Sequence, residues 1–83
     1  MADFYYHNRI YEKSLLYLQN ALKVDPYSEP IMEKILNCYS KIGKFDKLRT
    51  KYEEFCEMLA SELDIEPSTE LKSAYARSLQ REI

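Results

Sequence analysis

The sequence predicts an all-α domain. Turn-forming residues are scarce, with one Gly and three Pro among 83 residues, where about 12% of residues is usual and β-rich folds need far more turn chemistry. Apolar residues recur three and four positions apart along most of the chain, which is the spacing of one helix face and not of a strand. The chain also matches itself at a shift of 34 residues, which sets Tyr5 on Tyr39, Tyr11 on Phe45, Leu18 on Tyr52 and Leu22 on Cys56.

The elements follow in order. Tyr11, Leu15, Leu18 and Leu22 form a first apolar stripe that stops at Val24. Asp25-Pro26 then ends the helix, because a residue before proline is pushed out of the α region. Ser28 is placed to cap the next helix, and Pro30 falls in its first turn, where the missing N–H costs nothing. Ile31, Ile35, Cys38, Tyr39 and Ile42 make the second stripe. It is closed by Gly43, the only glycine, suited to the left-handed residue that ends a helix. Phe45, Leu48, Tyr52, Phe55, Leu59 and Leu63 define a long third helix of about five turns, broken by Asp64 to Pro67. Ser68 caps a last helix whose apolar face is Leu71, Ala74, Tyr75, Leu79 and Ile83. Its capping box is incomplete, because Leu71 and not Glu stands three residues after Ser68.

Composition narrows the function. Hydrophobic residues at 46% and charged residues at 31% describe a chain that folds and does not stay disordered. Twelve Lys and Arg against fourteen Asp and Glu leave a net charge of -2, opposite to the balance of a stand-alone nucleic-acid binder. No apolar run approaches the ~20 residues of a membrane span, and no basic start leads into a secretory core. The expectation is a cytoplasmic chain with no membrane partner. Cys38 and Cys56 are 18 residues apart with a single histidine, which cannot assemble a four-ligand zinc site. Free thiols are expected, a disulfide being the alternative.

Thirty-four residues is the tetratricopeptide period, and the turn from Gly43-Lys44-Phe45 into Tyr52 resembles that repeat, as does Leu18-x-x-Ala21-Leu22-x-x-Asp25-Pro26 at the end of its second helix. The resemblance implies a tetratricopeptide-like, right-handed stack of two helical hairpins, about residues 1–25 and 29–63, with a last helix over about 68–82. Met32, Leu48 and Phe55 depart from the repeat pattern, which prefers Trp, Ala and Ala there, and its closing Pro is replaced by Ala60. The larger side chains must spread the helices or meet a different neighbour. Arg9 stands where the second repeat has Gly43. A positive φ would cost a residue with a Cβ about 1 kcal/mol, so Asn8 is expected to make the first turn.

Taken with Asp25-Pro26-Tyr27-Ser28-Glu29, Tyr39 to Gly43 and Tyr52-Glu53, the segment Glu-Leu-x-Ile-Glu-Pro-Ser-x-Glu-Leu from Glu62 to Leu71 resembles the bacterial transcriptional activation domain, the helical module of antibiotic regulatory proteins and related regulators. One departure is Thr69, where that family often has proline. The resemblance implies a protein–protein interaction and oligomerisation module of a transcription regulator. Its partners would be the regulator's own domains, a second copy and the transcription machinery, with DNA reached only through a separate winged-helix domain. Some members also carry a receiver or an ATPase domain. On this reading the chain is the C-terminal piece of a longer regulator. The alternative is a generic tetratricopeptide scaffold in which Asn37 and Lys41 receive a client's C-terminal carboxylate, opposed by Glu33 one turn away.

Nothing in the sequence assembles a catalytic, cofactor or metal site. The serines have only His7 as a base, adjacent pairs such as Glu53-Glu54 diverge on a helix, and no Gly-rich phosphate loop occurs. Packing on the stripes accounts for Tyr11, Tyr39, Tyr52 and Tyr75. Charge is unevenly placed: residues 41–52 carry five bases and one acid, while residues 53–66 carry six acids and no base. That order opposes the helix dipole. The candidate partner-binding residues are those turned outward from the first helix of each hairpin, Tyr6 and His7 with Asp3, and Glu33, Asn37, Ser40 and Lys41.

Overall fold

The structure, a computed structural model, describes the backbone of residues 2–80 and the side chains of residues 10–80. The described residues form four helices: α1 (Ala2–Val24), α2 (Glu29–Lys41), α3 (Phe45–Leu63) and α4 (Thr69–Leu79). No strand occurs among them. The expected Ile83 contact of the last helix lies outside the described residues.

Local chemistry sets the boundaries. Ser28 caps α2 by accepting from the Ile31 N–H at 3.3 Å, with Pro30 in the first turn. At the other end Gly43 has φ +77, the Lys44 N–H donates to the Tyr39 carbonyl at 2.9 Å, and the Gly43 N–H donates to Ser40 at 3.2 Å. These are the two bonds of a Schellman cap. Ser68 caps α4 by accepting from the Leu71 N–H at 3.2 Å.

α3 ends on Asp64, which adopts φ 57 and ψ 41, the only positive φ on a residue other than glycine among the described residues. A Cβ in this region is strained, and an acid at a helix C-terminus faces the negative end of the dipole. Asp64→Gly is therefore expected to raise stability by about 0.5–1 kcal/mol, read as a higher denaturant midpoint with an unchanged slope.

The first hairpin is corrected. α1 runs unbroken from Ala2 to Val24, through Asn8 and Arg9. The segment holds neither Gly nor Pro, and Asn8 tolerates a left-handed φ only at a cost that Gly does not carry, while each added helical residue gains a hydrogen bond once the helix is nucleated. The second unit turns sharply because Gly43 is there.

α2 is the central helix, packed against α1, α3 and α4. Met32, Ile35, Leu36, Leu48, Leu59 and Leu71 are almost fully buried, and Leu15, Leu18, Tyr39 and Phe55 join them in one core. Leu48 and Phe55, which depart from the repeat pattern, are both core residues. The ring of Tyr52 on α3 stacks on that of Tyr75 on α4, with centroids 3.8 Å apart and planes 6° from parallel. Gln19 on α1 donates to the Tyr39 hydroxyl at 3.0 Å. Cys38 is buried and Cys56 half-buried, both as free thiols, and burial pushes both upward from their ordinary pKa.

Burial, and then the neighbouring Cys56, push the Tyr52 phenol up from 10.0 to about 12. The folded chain therefore keeps a proton that the unfolded chain releases. The stability this confers is intact below pH 10 and drains away as pH rises towards 12. Melting temperatures from pH 9 to 11.5 should fall, and fall less steeply in Tyr52→Phe.

Candidate functional site

The helix that carries most of the expected partner-binding residues is buried over an unusually wide arc. At ~100° per residue, Ile31, Ile35, Cys38, Tyr39 and Ile42 span about a third of the circumference. Met32, Leu36 and Ser40 extend the buried arc to about 200°. The extension exists because α2 has further neighbours: Met32 faces α1 and α3, and the far side of the arc meets α4. Its far edge is Ser40, whose hydroxyl donates to the Ser78 carbonyl at 2.9 Å.

What α2 leaves exposed is Pro30, Glu33, Lys34, Asn37 and Lys41. Glu33, Lys34 and Asn37 meet Ala74, Arg77 and Ser78 of α4 in an open groove of about 290 Å³. Its walls carry an acid, two bases and an amide over a small-residue floor, a surface that can exchange charged and neutral hydrogen bonds with a peptide or protein.

The groove is framed at both ends by buried or half-buried polar contacts. Near the N-termini of α2 and α4, Glu29 accepts the Ser68 backbone N–H at Oε2 (2.8 Å) and the Ser68 hydroxyl at Oε1. The carboxylate missing from the capping box of α4 is thus supplied by α2. It lies at the positive end of the α4 dipole. Ser40 and Ser78 close the other end.

The expected site residues divide accordingly. Glu33 and Asn37 are brought together in the groove, and Lys41 is exposed in the last turn of α2. Ser40 is corrected: it is 4% exposed and bonded to α4, so it presents nothing to a partner. Asp3, Tyr6 and His7 lie on the first turns of α1, and their side chains are outside the described residues. Lys34 and Arg77 are additions. Arg77 was missed because α4 was read only for its apolar stripe, although a base three residues after the buried Ala74 is a usable sign of a wall beside a packed face. Among the described residues no group of His, Cys, Asp or Glu could hold a metal ion, and no helix is long and apolar enough to cross a membrane.

Two further surfaces border this frame. Tyr27 donates to Glu62 at 3.2 Å, which ties the turn before α2 to the end of α3, and that carboxylate pushes the phenol upward from its ordinary pKa. Along α1, Ile10, Tyr17 and Val24 are exposed at heptad spacing beside Leu16.

The sequence model of the bacterial transcriptional activator domain matches residues 5–79, which takes in α2, α3, the Glu62–Leu71 segment and α4 to its last residue. This chain belongs to that family. No curated protein and no solved structure matches it. The bacterial transcriptional activator domain is a regulatory, tetratricopeptide-like helical module, which accords with the four helices of the described residues. The signature segment has a structural reason within the domain. Asp64 makes the left-handed exit from α3, and Ser68 supplies both the cap of α4 and the partner of Glu29.

Proposed function

We propose that this domain is the protein-contact and self-association module of a bacterial transcription regulator, working in the cytoplasm while a separate domain holds DNA. The observation that carries the reading is the groove between α2 and α4, of mixed charge and lined by Glu33, Lys34, Asn37 and Arg77, in a chain of the activator-domain family. A net charge of -2 and the absence of a uniformly basic groove wall favour a protein partner over a phosphate backbone. Tyr6 on the first turns of α1 is the aromatic anchor of this reading, and aromatic and Arg positions dominate such contacts.

The test is made in the full-length regulator. Tyr6→Ala, Asn37→Ala and Arg77→Ala should each leave helicity and promoter binding unchanged. A contact residue worth ~1–2 kcal/mol should weaken partner binding about five- to thirtyfold, with a matching loss of reporter output. Wild-type output from all three variants would retire the reading.

A second reading, a clamp for a client's C-terminal carboxylate, draws on Lys34 and Arg77, which offset the repulsion from Glu33 in the same groove. Tight, salt-sensitive binding of short acidic C-terminal peptides in calorimetry would put it first.

A further inference from the structure

On the opposite flank of α2, a second pocket opens between α1 and α3. It measures about 250 Å³, and its lining includes Leu22, Met32, Phe55 and Met58, with Lys23 and Lys51 also on the wall. We infer that this pocket is a binding site for a small amphipathic anion, an aliphatic or aromatic carboxylic acid whose apolar body lies on the two methionines and Phe55 while its carboxylate meets the lysines.

Three observations support this. First, the apolar part of the lining is well anchored yet adaptable. Met32 and Phe55 are core residues at 1% and 3% exposure, and Met58 is half-buried. Thioether side chains re-pack around ligands of different shape. Second, the cations are placed there by the helix wheel. At ~100° per residue, Glu53 and Glu57 point to solvent, while Lys47, Lys51 and Glu54 fall on the flank turned to α1, and with Asp46 they line the continuation of the groove past Gln19 and Tyr39; Lys23 at the end of α1 brings the second cation to the pocket itself. Third, the volume lies just below the ~300–1,000 Å³ of pockets for drug-sized ligands, which suits a compact acid.

Glu54 shares the rim with Lys51, so the local balance is two bases to one acid. That makes the charge dependence readable in both directions.

The experiment uses this chain with octanoate as the probe and octanol as its neutral counterpart, followed by amide shifts in ¹H–¹⁵N spectra. Octanoate should saturate a single site, with the largest shifts at Leu22, Met32, Phe55 and Met58, and bind more tightly than octanol. Because Lys23 and Glu54 are exposed and Lys51 half-buried, Lys23→Gln and Lys51→Gln should each weaken octanoate about two- to fivefold, Glu54→Gln should strengthen it by a similar factor, and octanol should not respond. Met58→Trp, which fills the pocket, should abolish both. Circular dichroism confirms that each variant is folded. The inference is overturned if the shifts gather on Ile10, Tyr17 and Val24, if octanol binds as tightly as octanoate, or if the three charge variants leave octanoate affinity unchanged.

Discussion

Leu36→Ala is expected to lower the unfolding free energy by about 2–5 kcal/mol, among the largest effects of a single truncation in the domain. Leu36 has 0% exposure on the central helix, so the cavity left behind is walled by packed elements and not relieved by solvent. A domain of this size has a total stability on the order of 4–12 kcal/mol. The variant should therefore melt far below the wild type or be partly unfolded at 37 °C. Ile31→Ala, half-buried on the same helix, is the control and should cost clearly less. If the two substitutions shift the urea midpoint equally, α2 is not the centre of the core.

The comparison of these two residues shows what periodicity can read. The spacing of Ile31, Ile35, Cys38, Tyr39 and Ile42 placed α2 and one of its faces, and the caps at Ser28, Gly43 and Ser68 sit where side-chain chemistry required them. Met32, Leu36 and Ser40 were legible only as neighbours of that face. A single stripe reports one packing partner, and α2 has three. Ser40, which stands off that stripe, therefore reads as a surface residue in the sequence, whereas in the structure it is the edge of a second buried face. The continuous course of α1 through Asn8 was missed for a related reason. A repeat match records which residue types recur, whereas a turn needs a residue able to leave the helix, and His7-Asn8-Arg9 has no glycine. Of the candidate site, Glu33 and Asn37 were found from α2 alone. Lys34 and Arg77 needed the docking of α4, and the α1–α3 pocket needed the placement of Met32 between two other helices.

The docking of α4 leads to the second large effect. Glu29→Ala removes both acceptors of Ser68 at once, leaving the Ser68 N–H without its charged partner and the positive end of the α4 dipole without its anion. A hydrogen bond to a charged group contributes about 1.5–3 kcal/mol, so a loss of about 2 kcal/mol is expected. Ser68→Ala should cost about 1 kcal/mol through the lost cap on Leu71 and more through Glu29. Because the two residues act as one unit, the double variant should cost less than the sum of the singles, with a coupling of about 1 kcal/mol or more. Glu29→Gln should fall between, since an amide oxygen can accept one of the two bonds but its nitrogen cannot accept the other. The damage should also be local. With Ser40 still holding Ser78 at the far end, hydrogen exchange should rise in the first turns of α4 before it rises in α2 or α3. The groove lined by Asn37 and Arg77 depends on that attachment, so partner binding should weaken in Glu29→Ala although Glu29 is not among the residues that line it. Additive losses in the double-mutant cycle would mean that Glu29 and Ser68 stabilise their own helices separately, and α4 would then be held to α2 by apolar packing and the Ser40–Ser78 hydrogen bond alone.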